Sequence, residues 1–188
     1  MCSPLRAAAR FCQDKAGVST VEFAMVTPVI LLIMAGTLDL GRALMTRFEV
    51  TSAVSASTNY ALLNADRVNS KSGSALATEI ATVAASSLQS NQGDITVVIN
   101  NGSSVNVNNG TPQPSGTAAN ADSCYCPTMS GYSVTWGSTK TCGSACSGGG
   151  LAGKFVTITA SKPYTPMFTG YGIVEADAIT VRAIVQPQ

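Results

Sequence analysis

Residues 17–42 read GVSTVEFAMVTPVILLIMAGTLDLGR. Between Phe23 and Leu38 there is no charge, and most side chains are apolar. Taken outward to Val18 and Leu40, the stretch spans about 34 Å as a helix. That length matches a hydrocarbon core of roughly 30 Å. Glu22 and Asp39 stand near its two ends, where a charge costs less than at the bilayer centre. Arg42 is placed to snorkel to the outer interface. Upstream, Arg6, Arg10 and Lys15 are opposed only by Asp14. The positive-inside rule then puts this tail in the cytoplasm and the remainder outside, with Arg42 and Arg47 pulling weakly the other way. Pro28 removes one helical N–H bond, freeing the carbonyl of Ala24. Two readings of it stay open: a fixed kink, and a helix that bends or melts locally on leaving the bilayer.

An ordinary secretory signal is the rival to an anchor. Its small-residue cleavage site would fall at Ala35-Gly36-Thr37, a poor fit, and the apolar run is long for such a signal. Composition favours an extracytoplasmic surface. The 188 residues are only 11% charged, against roughly 25% in ordinary soluble domains, and Ser, Thr, Asn and Gly carry the polarity. A net charge of +1 gives no reason to expect nucleic acid as a partner. The absence of histidine removes the commonest general base near neutral pH and the commonest zinc ligand.

The order of features around residue 17 is more specific. A basic leader is followed by Gly17, then Val18, and five residues after the glycine comes Glu22, with Phe23 next. This resembles the processing site of type IV prepilins, and in particular the tight-adherence (Tad/Flp) form with an aromatic after the glutamate. Glycine offers a protease at the membrane face an unobstructed backbone, and a carboxylate is an expensive choice for a simple anchor. The whole run from Gly17 to Leu44 is similar to the N-terminal signature of the TadE-like family, including Asp39, Gly41 and Arg42. The CYCP and CGSAC segments, FVTITASKPYTPMF and AITVRAIV also look like that family's C-terminal part. The middle, about 64–122, carries no such likeness.

The resemblance implies a minor pseudopilin, a non-enzymatic subunit in the biogenesis of a Tad/Flp-type pilus. Its implied partners are a prepilin peptidase, other pilin and pseudopilin subunits, the inner-membrane assembly machinery and the lipid bilayer. Gly17, Val18, Glu22 and Phe23 are the implied processing residues, and Glu22 also serves subunit assembly. The expected location is the inner (cytoplasmic) membrane, single-pass, with the N-terminus cytoplasmic. No cofactor or metal is expected. A secreted adhesin released by signal peptidase and a membrane-tethered thiol oxidoreductase are the alternatives.

Beyond Arg42 the spacing of Leu44, Phe48, Val54 and Ala61 predicts that the helix continues. The polar residues from Asn64 to Ser74 interrupt it, and Leu76, Ile80, Val83 and Leu88 predict a second, amphipathic helix. Ile95, Val97 and Ile99 alternate, as do Val105 and Val107, with Asn101-Gly102 between them as a hairpin turn. A loop is expected from there to Asp122. Further strands are expected at Tyr132–Trp136, Phe155–Ala160 and Ile179–Val185, with Tyr164 and Phe168 presented on a Pro-punctuated loop. The fold class is therefore α+β: a transmembrane helix extended into a long helix, backing an antiparallel sheet. The expected division is a leader at 1–17, a transmembrane helix at 18–42, a helix extension and linker at 43–70, and a head at 71–188.

Cys124 and Cys126 form a C-x-C pair, and Cys142 and Cys146 a C-x3-C pair. Outside the cytoplasm such cysteines persist as disulfides. Pairing within C-x-C closes a very small strained ring, so two cross-links between the pairs are expected, each worth about 3 kcal/mol in the chain-entropy model. A zinc site and a redox-active pair are the rivals. Cys2 and Cys12 would leave with the leader.

Overall fold

The computed structural model describes residues 18–88, 93–108, 110–131, 133–168 and 177–187. A single helix, α1, runs from Val18 to Leu63, about 69 Å at 1.5 Å per residue. It stays helical through Pro28. There the Thr27 hydroxyl donates to the Phe23 carbonyl at 2.6 Å, the back-bonding that bends helices. The first half of α1 is exposed almost throughout, from Val21 at 58% to Met34 at 54%.

The second half is the spine of the head. Val50, Ala53, Val54, Ser57 and Ala61 are all buried, and their three-and-four spacing puts them on one face. Val54 and Ala61 thus lie where the sequence pattern puts them, but Leu44 and Phe48 do not: they are 45% and 66% exposed. Three of these five residues, Ala53, Ser57 and Ala61, are small, which permits close packing against the rest of the head. The Ser57 hydroxyl is satisfied inside the helix by the Ala53 carbonyl at 2.8 Å.

A 3-10 turn at Ala65–Arg67 reverses the chain into α2, Gly73–Ser87. Leu76, Ala77, Ile80, Ala81 and Ala84 form its buried stripe. Strands β1 (Asp94–Ile99), β2 (Ser103–Asn108), β3 (Thr111–Gly116), β6 (Val156–Pro163) and β7 (Ala178–Val185) make one antiparallel sheet in the order β3-β2-β1-β6-β7. The helices cover one face, α1 over β6 and β7 and α2 over β1 and β2. Ile95, Val97, Ile99, Val105, Val107, Val156, Ile158 and Ala160 point into the shared core. The result is the α+β arrangement expected from the sequence.

Between β3 and β6 the chain leaves the sheet. It passes through a 3-10 segment at Ala118–Asp122 and enters a small lobe with a two-stranded ribbon, β4 (Thr128–Ser130) and β5 (Ser133–Thr135). β5 falls within the strand expected at Tyr132–Trp136, and β4 is its unexpected partner; Tyr132 lies outside the described residues. The stretch expected to be loop down to Asp122 contains β3. The hairpin turn is also displaced by one residue. Its centre is Asn100-Asn101, with φ of 47° and 57°, closed by Gly102 N–H donating to the Ile99 carbonyl at 2.7 Å. Two central residues at positive φ are the hairpin-compatible geometry that asparagine tolerates. Gly102 closes the turn because a Cβ there would stand 2.8 Å from Cβ of Ala121.

One charged cluster joins the two helices. The Arg67 guanidinium donates to both Glu79 oxygens, at 2.6 and 2.7 Å, and the Tyr60 hydroxyl donates to Glu79 Oε2 at 2.8 Å. The hydrogen bonds from Arg67, then that from Tyr60, hold the Glu79 carboxyl down at about 2 against an ordinary 4.5. Because the folded value is depressed, the stabilisation is complete above 4.5 and is lost as pH falls through 2. Thermal unfolding between pH 5 and 2 is expected to show a steeper acid loss in the parent than in Glu79→Gln. Equal slopes would show that the cluster contributes nothing to acid sensitivity.

Candidate functional site

The expected processing residues sit at the start of α1. Gly17 lies outside the described residues, and Val18 is the first residue of the helix. Glu22 is exposed, and Phe23 is 68% exposed. Among the described residues the ion pairs are Arg67–Glu79 and Lys162–Glu49, and Glu22 is in neither. Among the described residues no part of the head buries Glu22 or Phe23, which stand open to a partner.

The four downstream cysteines are brought together. Cys124 bonds to Cys142 with Cα atoms 5.2 Å apart, and Cys126 to Cys146 with Cα atoms 5.7 Å apart. Both bridges cross between the C-x-C and C-x3-C pairs, and neither pair closes on itself. Backbone bridges Cys124–Lys140, Tyr125–Gly153 and Ala145–Leu151 complete the lobe. Among its described residues Tyr125 is the one large buried side chain, 3% exposed, and it meets Trp136 edge-on at 5.9 Å. Among the described residues no group of three or more His, Cys, Asp or Glu side chains is placed to hold a metal ion.

The residue that sequence reasoning undervalued is Asp39. Its position at the end of the apolar run suggests a charge tolerated at the membrane edge. Instead it is 3% exposed and holds the head to the helix. Its Oδ1 accepts the Met167 N–H at 2.8 Å and its Oδ2 the Phe168 N–H at 3.0 Å. The Tyr164 hydroxyl donates to its backbone carbonyl at 2.8 Å. Tyr164, expected on a presented loop, is therefore buried at 6% exposure, whereas Phe168 remains 40% exposed. A buried carboxylate is tolerable because two N–H donors take up its lone pairs. A second tie lies three turns farther on, where Lys162 of β6 meets Glu49 at 2.7 Å. The signal available in the sequence was the pairing of an acidic residue at the end of an anchor with a Pro-rich, charge-free loop. Only the fold shows that the two meet.

Residues 17–58 match the family model described as TadE-like protein. No curated protein and no solved structure matches the chain. The match covers the apolar half of α1, the Asp39 junction and most of the helix that enters the head. The match to TadE-like proteins is confined to that segment of the chain.

Proposed function

We propose that this chain, TadE-like over residues 17–58, is a minor pseudopilin: a structural subunit in the assembly of a Tad/Flp-type pilus. The observation that carries this reading is α1. One unbroken helix is apolar and bare over its first half and is the buried spine of an α+β head over its second. A membrane takes the bare half before assembly, and neighbouring subunit helices take it afterwards. Residues 1–17 are a cytoplasmic leader, residues 18–42 span the inner membrane, residues 43–70 carry the helix into the head, and residues 71–188 complete that head outside the cytoplasm. A prepilin peptidase cuts after Gly17, and the inner-membrane assembly machinery receives the mature subunit.

The intact mass of protein taken from its native membrane tests this. The expected result is loss of residues 1–17, with Val18 as the new N-terminus. A mature start near Asp39 would sink the pseudopilin reading in favour of a secreted binding protein. The cross-paired cysteines disfavour a thiol oxidoreductase, which needs a labile pair rather than two interlocked structural bridges.

A further inference from the structure

We propose that the loop Tyr164–Phe168 is a second membrane-contact element, with Met167 and Phe168 lying among the lipid chains of the outer leaflet beside the spanning helix. The inference rests on the reading of α1 as membrane-spanning. Three observations support it independently of the loop's sequence likeness to any family.

The first is depth. Asp39, which holds the loop, lies at the outer end of the apolar run. Ala35, one turn toward the membrane centre on the same face, is only 8% exposed, while Leu31, Leu32, Ile33 and Met34 are 46–62% exposed. Phe168 closes a groove of about 590 Å³ along α1, floored by Pro28, Leu31, Leu32, Ala35 and Leu38. Leu31 is eight residues below Asp39, or about 12 Å along the helix axis. The groove therefore extends well inside the thickness that α1 spans.

The second is surface chemistry. The stretch Pro163–Phe168 carries no charged side chain, and within it Met167 is 60% and Phe168 40% exposed. Exposed apolar side chains continuous with a bare anchor have the hydrocarbon as their nearest apolar medium.

The third is backbone accounting. In hydrocarbon every N–H needs an acceptor within the protein. Pro163 and Pro166 have no N–H. The N–H of Tyr164 goes to the Asp177 carbonyl at 3.0 Å, and those of Met167 and Phe168 go to the Asp39 carboxylate. Five of the six residues thus present no open donor to lipid. A loop facing water has no need of a buried carboxylate for this purpose, since water would serve.

The test places a reporter in the full chain reconstituted in phosphatidylcholine vesicles. Trp136 is the only tryptophan, so Trp136→Phe gives a silent background. Into it go Phe168→Trp, or Leu31→Trp as the marker of the span. Acyl chains brominated near the headgroup end are expected to quench Phe168→Trp about twofold, as for a side chain buried 5–10 Å below the headgroups. Chains brominated near their ends should quench Leu31→Trp more strongly. Adding Asp39→Ala should abolish the quenching of Phe168→Trp and leave that of Leu31→Trp.

Quenching of Leu31→Trp with none of Phe168→Trp would overturn the loop contact while leaving the anchor standing. Shielding of the loop by a protein neighbour would show as that same result. No quenching of either would remove the membrane reading and the loop with it. Quenching of Phe168→Trp that persists without Asp39 would trace to the tryptophan's own affinity for the interface, and would overturn the proposal as well.

Discussion

Replacing Cys124, Cys126, Cys142 and Cys146 together with serine is expected to unfold the lobe from 124 to 153 and leave the five-stranded sheet intact. The lobe has little else to hold it. β4 is exposed at all three positions and β5 at two of three. Gly131, Gly137, Gly143, Gly149 and Gly150 sit at positive φ, so the unfolded lobe gains much backbone freedom. Sequence separations of 18 and 20 give about 3 kcal/mol per bridge in the chain-entropy model. The bridges enclose nearly the same loop, so their joint contribution falls short of the sum.

Unfolding should stop at the sheet because Asn100 holds both ends of the lobe without sulfur. Its side-chain amide donates to the carbonyls of Ala121 and Ser123, at 2.9 and 2.6 Å, and its Oδ1 accepts the Phe155 N–H at 3.1 Å. Trp136 fluorescence should red-shift as its contact with Tyr125 is lost, and lobe amides should lose exchange protection while those of β1 and β6 keep theirs. An unchanged Trp136 spectrum with unchanged protection would show that the lobe folds without its bridges.

Residues whose environment is local were legible in the sequence. Ile95, Val97 and Ile99 alternate because one face of β1 is core, and the pattern survives whatever the neighbours are. The stripe of α2 is legible for the same reason at helical period. β3 was missed because TPQPSG carries no apolar alternation and all six residues are exposed. It is a strand only because β2 offers it an edge, with Pro112 opposite Val107 and Pro114 opposite Val105. Prolines at alternate positions turn their missing N–H away from the ladder and block further pairing.

The docking face of α1 was legible at Val54 and Ala61 but not at Leu44 and Phe48, for a different reason. Hydrophobic size points to Leu44 and Phe48, but the buried face of the helix is built largely of small residues, Ala53, Ser57 and Ala61. The displaced turn and the Asp39 junction share one cause: each is set by hydrogen bonds to residues far along the chain, Ala121, Ser123 and Phe155 for Asn100, and Tyr164, Met167 and Phe168 for Asp39. No local pattern encodes those distances. The pairing of the cysteines stands between the two cases. Ring strain argues against closure within C-x-C, but only the fold chooses which cysteine of one pair meets which of the other.

Glu22→Leu is expected to insert into the membrane normally and to fail in assembly. A carboxylate at the centre of a spanning helix costs about 2.5–3.5 kcal/mol on insertion scales, and less toward the interface. Leucine would therefore anchor at least as well, and anchoring gives no reason for glutamate. Glu22 is exposed in the first turns of α1 and is in neither ion pair of the described residues. Cleavage after Gly17 would place a positive amine on Val18, about one helical turn away. The start of the helix itself favours negative charge. In a lone subunit the carboxylate has its own amine within reach. Among packed subunits the amine of a neighbour competes for it, and that exchange would fix the axial register between helices. The variant should be recovered in the membrane fraction at parental levels. It should not co-purify with other pilus subunits and should not restore surface pili. Glu22→Asp keeps the charge on a shorter arm and should fall between the two. Assembly of Glu22→Leu at parental efficiency would show that no amine of a neighbouring subunit depends on this carboxylate.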